Sequence, residues 1–533
     1  MRSVAMAVVV AVLFAGRSSA QDMVFEVDSA GPDPQYDNGG APSETLAAAL
    51  GKYDRGLHAE SAALLQRVVE GATQDGPGRV EQAQFFLAKA LLRLGFLQSA
   101  LGAIDEITVQ PSGHRYRAQS LPWLLELAQR MPDPAPVLPI LDRYLLAELE
   151  QTSATLKPEA AAELWSLAGR AALASGELDV ALERLGRVAR GTATYPQAQF
   201  LLGIAHVKQR RARPAIAAFR RMIEASDDAG EAAARLRALG WLSLGRVYYT
   251  AAFGAGKQSQ GALLGNAVEA WSQVDTSSAD WLDAMFESAW ALFVTDEHSR
   301  ALGNLHALLS PFFAGAFYPE AHVLKSVIFF DSCQMSNASA ALATFHAQYD
   351  PVRDQLGALT GGKLDNDGAL QLLESVDAGT SALSPQVRSV LARALGDREL
   401  ARTRAGLAAL DEEQRALDAA GPGLRASTLA ERIAQDLAVE RSVRREQLGE
   451  RVRARIDRLV AELQEVENQA DTIEIEILGY QRGELGVPPA TPPASGRSVH
   501  VDSEHVLWPF NGEYWRDELG FYRQQLTNHC RPR

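Results

Sequence analysis

The chain has 533 residues, 47% of them hydrophobic and 22% charged, with a formal net charge of −14 at pH 7. Such a composition is globular and excludes an intrinsically disordered chain, and the length allows several cores or one elongated core. An acidic surface of this size also argues against general nucleic-acid binding, which needs basic footprints on phosphate.

The first residues read MRSVAMAVVVAVLFAGRSSAQD. Arg2 gives a positive start, Val4 to Gly16 a short apolar run, and Ser18-Ser19-Ala20 a small-residue cleavage site. This pattern predicts a signal peptide over 1–20 and a mature start at Gln21; the alternative is an amphipathic N-terminal helix. No run in the chain reaches the length of a membrane-spanning helix, and Gln21 in place of a Cys suggests no lipid anchor. An extended segment is expected over 21–42.

From 43 onward, small residues recur in pairs twelve positions apart: Ala88 and Ala100, Gly169 and Ala181, Gly203 and Ala215, Ala289 and Ala301, Ser326 and Ala338. Ala181 and Ala215 lie 34 residues apart, as do Ala267 and Ala301. Large apolar residues follow, such as Leu185 and Phe219, and Gly95 and Gly176 mark turns. The spacing predicts stacked helical pairs whose small residues let backbones approach. AAFGAGKQSQ (251–260) reads as a longer turn inserted in one unit. Pairs are expected at 43–70, 76–109, 162–195, 196–229, 238–279, 282–315 and 319–350, with a degenerate pair over 115–150. An ordinary helical bundle would share the same apolar positions.

With Trp165, Gly169, Ala181, Leu185, Leu202, Gly203, Ala215, Phe219, Leu244, Gly245, Tyr248, Ala267 and Trp271, residues 43–355 resemble the tetratricopeptide repeat. The resemblance implies that the first helix of each unit lines a partner-binding groove. On this chain the groove positions are Arg170, Phe200, Ile204, Lys208, Arg246, Tyr249, Phe286, Trp290, Phe293, Val327 and Phe330. Trp290, Phe293 and Phe330 could equally belong to the core. The Lys, Asn and Arg pattern with which some members clamp a peptide carboxylate is not present, although Arg170, Lys208 and Arg246 are basic.

Residues 356–385 read as a linker. Within it, Asp365, Asp367, Gly368 and Glu374 fall on four places of a calcium loop, but Lys363 stands where its first carboxylate belongs, so a helix cap or turn is expected. The stretch 386–483 is rich in Ala, Leu, Glu and Arg and divides at AAGPGLRAS (419–427). Ile456, Leu459, Leu463, Val466, Ala470, Ile473 and Ile477 form a heptad seam. An antiparallel coiled-coil hairpin within the chain, or self-association through the second helix, would bury it. A Pro-rich linker (484–499) leads to a tail (500–533) dense in rings: Trp508, Phe510, Tyr514 and Trp515, with Phe521 and Tyr522 beyond. A piece this short cannot form its own core, so it docks on the repeats or serves as a partner-binding tail. The two cysteines, Cys333 and Cys530, can bridge after export or remain two buried thiols.

On WPFNGEYWRDELGFY and YPEAHVLKSVIFFDSC, the chain resembles periplasmic repeat proteins of bacterial envelope machines, including gliding-motility complexes. That resemblance implies a periplasmic structural component whose partners are other envelope proteins or peptides. The expected class is all-α: a tetratricopeptide-like α-solenoid, then the helical hairpin, then the aromatic segment. No HExxH, GxSxG, phosphate loop or GxGxxG motif is present. His206, His306, His322 and His346 are scattered at helical positions, so a non-enzymatic scaffold without cofactor or metal is expected. The alternative is a helical-solenoid cell-wall enzyme or an accessory subunit of one.

Overall fold

The computed structural model describes residues 39–110, 113–226, 230–360, 364–484 and 505–530. The expected signal peptide, nearly all of the 21–42 segment and most of the 484–499 linker lie outside them. Among the described residues all regular structure is helical. In chain order come α1 (Glu44–Asp54), α2 (His58–Val69), α3 (Pro77–Leu94), α4 (Leu97–Thr108), α5 (Arg117–Arg130), α6 (Val137–Asp142), α7 (Leu146–Ser153), α8 (Pro158–Ala174) and α9 (Leu178–Gly186). They are followed by α10 (Tyr195–Lys208), α11 (Ala212–Glu224), α12 (Glu231–Gly254), α13 (Lys257–Ser272), α14 (Trp281–Val294), α15 (His298–Leu308), α16 (Pro319–Asp331) and α17 (Met335–Gly357). The series closes with α18 (Asn366–Asp377), α19 (Pro385–Leu395), α20 (Arg398–Asp418), α21 (Pro422–Arg425) and α22 (Thr428–Glu484).

A single turn chemistry recurs along the array. Gly56, Gly95, Gly176, Arg210, Asp296 and Cys333 are all left-handed, with φ of 74, 87, 84, 58, 60 and 56°. In each case the next residue donates its N–H five positions back: Leu57 to Lys52, Phe96 to Leu91, Glu177 to Ala172, Arg211 to His206, Glu297 to Leu292 and Gln334 to Phe329. This is the Schellman closure of a helix end. Five residues beyond each left-handed position stands a fully buried small residue: Ser61, Ala100, Ala181, Ala215, Ala301 or Ala338. Twelve before that stands its small partner, and where the pair includes a serine, the hydroxyl bridges it. Ser61 Oγ donates to the Ala49 carbonyl at 2.8 Å, and Ser326 Oγ to that of Ala338 at 3.0 Å. A β-carbon at Gly169 would overlap Leu185, and one at Gly245 would overlap Trp271. In the hairpins α1–α2, α8–α9, α12–α13 and α16–α17, small residues thus set the depth at which the two helices meet.

Arg210 occupies this turn where glycine would be unstrained, and a left-handed L-residue costs about 1–2 kcal/mol. Arg210→Gly is therefore expected to raise stability by about 0.5–1 kcal/mol, less than the full strain because glycine also loosens the unfolded chain. A higher denaturant midpoint at unchanged slope would report it.

The chain divides into two compact units, 1–211 with 398–448 and 212–397 with 449–533. In the first, α1 to α4 stack in sequence and α8 packs on α6, α7 and α9. The degenerate pair expected over 115–150 is three helices, α5 to α7. Onto α2 to α4 fold α20 and the first part of α22. The two run antiparallel: Arg441 Nε meets Asp411 Oδ1 at 2.9 Å, and the Arg444 guanidinium lies over Gly406. Glu413 of α20 accepts from the Gln98 N–H at 3.0 Å, at the N-terminus of α4, where a carboxylate is favoured. Arg432 of α22 pairs with Glu106 of α4. Leu429, Ile433 and Leu437 of α22 are buried.

In the second unit α12 to α17 form three successive hairpins. The 251–260 insertion is not the expected long turn, because α12 continues to Gly254 and α13 begins at Lys257. Its alanines and glutamines prolong both helices at little cost. Likewise the 356–385 linker holds α18, capped by Asp365, whose Oδ1 accepts from the Gly368 N–H at 2.7 Å. The first helix of the expected hairpin is two, α19 and α20, parted at Gly396 and Asp397.

The second part of α22 threads this unit. Its seam, Ile456 through Ile477, is buried in cis, which leaves it unavailable to a second copy. Arg455 Nε donates to the Ala394 carbonyl at the end of α19 at 3.2 Å. Against α17 the register is antiparallel: His346 faces Glu474, and one heptad on, Arg353 pairs with Glu467. Near α16, burial and the carboxylates of Glu462 and Glu465 push Glu320 up to about 7.

Because that folded value lies above the ordinary one for glutamate, the native state holds an extra proton between roughly pH 4.5 and 7, and stability falls as pH rises through that window. Glu320→Gln is expected to flatten this slope and to stabilise the protein at pH 8 by on the order of 1–3 kcal/mol. Denaturation at pH 5 and pH 8 measures it, and an unchanged slope would show the carboxylate to be solvated.

Candidate protein-interaction surface

The helices expected to line a groove present their residues in three ways. Phe200 and Ile204 on α10 and Phe286 on α14 are buried, at 4, 3 and 8% exposure, so they are core and not contact positions. For α10 the reason is local: its apolar residues cover every side, and a helix apolar all round is interior. Phe286 packs against Tyr318 at 5.5 Å between ring centres.

Two of the three basic residues are already engaged. Arg246 donates from Nε to both Glu287 oxygens, at 2.8 and 3.1 Å, and from Nη2 to Oε1 at 2.6 Å, with Asp283 at 3.5 Å. Burial alone would lower its pKa, but Glu287 and Asp283 more than offset this and raise it. Arg170 lies among Arg402, Asp133 and Glu163, and burial with the Arg402 charge brings it down to about 10. Lys208 is exposed.

Tyr249, Trp290, Phe293 and Phe330 are half-buried. Tyr249 packs on Phe253 at 4.9 Å, and its hydroxyl is pushed up to about 12 by burial and by Glu287. Trp290 meets Phe293 edge-on at 6.1 Å, and Phe293 stacks on His298 at 5.5 Å.

The larger exposed apolar surface lies on the C-terminal segment 505–530. This segment has no helix and is held on α15 and the α16–α17 turn chiefly through its backbone. The Gln524 N–H donates to the Ser299 carbonyl at 3.1 Å while Ser299 Oγ donates to the Gln524 carbonyl at 2.7 Å. Gln334 Nε2 donates to the Thr527 carbonyl at 2.6 Å, and the His529 N–H to that of Ser332 at 2.9 Å. Gly303 lies directly beneath the Tyr522 carbonyl, where any β-carbon would collide with it. A disulfide joins Cys333 to Cys530.

Of the four rings expected to dock, Tyr514 stacks on His306 at 4.5 Å and Phe510 meets the same imidazole edge-on at 4.8 Å. Trp508 and Trp515 pack on each other at 5.4 Å. Tyr522 at 5.0 Å from His306 and the buried Leu519 complete the anchor. Burial and Lys325 bring His306 down to about 4. Ser299, Gly303, Ser332 and Gln334 have no side-chain signature for this role, and only the glycine within α15 hints at a close approach.

Once anchored, the segment holds a row of large apolar side chains in solvent. Leu507 is 59% exposed, Trp508 56%, Phe510 55%, Trp515 39% and Phe521 72%. Exposed apolar groups gathered on a fixed backbone make a binding surface. They offer apolar area and indole or aromatic edges, with Glu513 bonded to Trp508 Nε1.

No protein-family model matches the sequence, nor does any curated protein. Among solved structures, the apo form of RapI is similar at 12% identity over 66% of this chain and 97% of its own, with a TM-score of 0.33. A monomeric mutant of IFIT1 with Gppp-AAAA is similar at 12% identity over 75% and 82%, TM-score 0.25. The APC/C hetero-tetramer Cut9–Hcn1 is similar at 14% identity over 78% and 91%, TM-score 0.17. The description of this chain as an array of helical hairpins rests on its own repeated turn and register.

Proposed function

We propose that this protein is an exported, non-enzymatic scaffold that binds other proteins. The observation that carries the reading is the segment 505–530, fixed by backbone hydrogen bonds and a disulfide while Trp508, Phe510, Trp515 and Phe521 remain largely exposed. A chain that only needed to seal its repeats would bury those rings. The half-buried Trp290, Phe293 and Phe330 of the second unit add further apolar surface on its first helices. The signal-peptide pattern of residues 1–20 supports export, and a disulfide suits an oxidising compartment such as the periplasm. Placement in an envelope assembly, of which gliding-motility complexes are one kind, rests on the sequence resemblance of the tail and of the α16 region.

The test is photocrosslinking in the native host from probes at Trp508 and Phe521, with a probe at buried Leu519 as control. A discrete protein adduct from the exposed positions, on chain that begins at Gln21, is the expected result. No adduct from either position, together with release of peptidoglycan fragments by the purified protein, would replace the scaffold with an enzyme.

A further inference from the structure

We propose that His346, Asp471 and Glu474 form a binding site for one divalent transition-metal ion of the zinc class. It is independent of the scaffold reading. The site spans α17 and the second part of α22, both in the second unit. The antiparallel register set by Arg353 with Glu467 brings His346, one heptad earlier on α17, opposite Glu474. Asp471 lies three residues before Glu474, on the same face of α22. The potential ligand atoms of the three side chains all lie within 4.8 Å of one another.

Three features favour a metal over a simple ion pair. The first is distance. His346 Nε2 is 3.5 Å from Glu474 Oε1, and ligands bound tetrahedrally at about 2.0–2.2 Å are separated by roughly 3.3–3.6 Å. The second is the orientation of the imidazole. His346 Nδ1 faces the Asp350 carboxylate at 3.2 and 3.3 Å, one turn along α17. A carboxylate behind one ring nitrogen holds the proton there and leaves the other nitrogen as a ligand, the usual support of a metal-bound histidine. The third is charge. Asp471 and Glu474 bring two carboxylates to the imidazole, and Asp350 and Glu467 add two more nearby, against Arg353. A divalent ion neutralises the pair directly.

The donor set selects the metal. Imidazole with two carboxylates suits zinc and its neighbours, whereas calcium and magnesium prefer oxygen alone. His346 retains 25% of its side-chain exposure and Glu474 45%, so an ion can enter from solvent and keep water in its remaining position. Bound there, it would tie α22 to α17.

The experiment uses untagged full-length chain stripped with chelator and titrated with zinc chloride by calorimetry, alongside thermal unfolding. One zinc per chain, a higher unfolding temperature with zinc, and loss of both in His346→Ala and in Glu474→Gln are expected. Asp350→Asn keeps the ligands and is expected to weaken binding 10- to 100-fold. Unchanged zinc binding in His346→Ala, absence of binding in the unmodified chain, or equal stabilisation by calcium chloride would each overturn the assignment.

Discussion

Arg246→Ala is expected to destabilise the second unit by about 3–5 kcal/mol, the cost of stranding a buried carboxylate without its cation. Glu287 is 7% exposed and takes three hydrogen bonds from this one guanidinium. With the guanidinium gone, Glu287 must ionise without a partner or take up a proton, and Asp283 at 3.5 Å loses its nearest cation as well. For a unit of this size each kcal/mol corresponds to roughly 2–4 °C, so the unfolding temperature should fall by about 10 °C. Adding Glu287→Gln to the variant should recover a large share, since the stranded charge and not the lost contact dominates. Circular dichroism melts of the two single variants and the double close this cycle. A loss below about 1 kcal/mol for Arg246→Ala would mean that water reaches Glu287 and that the pair behaves like a surface one.

Cys530→Ser is expected to free the C-terminal segment from α15 and the α16–α17 turn. The bond closes a loop of 197 residues, for which chain entropy predicts about 5 kcal/mol, with native disulfides commonly contributing about 2–5. Without it, four hydrogen bonds to its backbone, the buried Leu519 and the rings around His306 must hold the segment alone. Limited proteolysis should then cut within 505–530 at rates that leave the repeats intact. His306 supplies a second readout. Its value of about 4 depends on Tyr514, Phe510 and Tyr522 excluding water, so release should return it toward the ordinary range for histidine. The folded value lies below the unfolded one, so docking weakens as pH falls from about 6.5 toward 4. Imidazole shifts followed by NMR in both proteins test this, and an unmoved His306 would show that the disulfide is dispensable for docking.

The parts of this molecule that could be read from residues alone are those whose contacts are short in sequence. A small residue and its partner twelve positions on, a left-handed turn between them and a large apolar residue beyond are all local. Their recurrence is the hairpin itself, so Gly169 with Ala181 or Ala289 with Ala301 announces a helical pair. The same rule exposes its limits: Arg210, Asp296 and Cys333 take the glycine place of the turn, which residue type alone does not reveal.

What depended on the tertiary structure was every contact made at a distance. The heptad seam shows that one face of α22 must be covered, but apolar periodicity carries no address, and the cover includes α17, more than a hundred residues earlier. Phe200, Ile204 and Phe286 have the composition of contact residues and the burial of core, because exposure depends on what folds over them. Arg246 is basic in any reading; that it already holds Glu287 is set by the stacking of α12 on α14. The C-terminal segment docks through peptide groups, which every residue carries alike, so the sequence named its rings and the fold decided which of them remained in water.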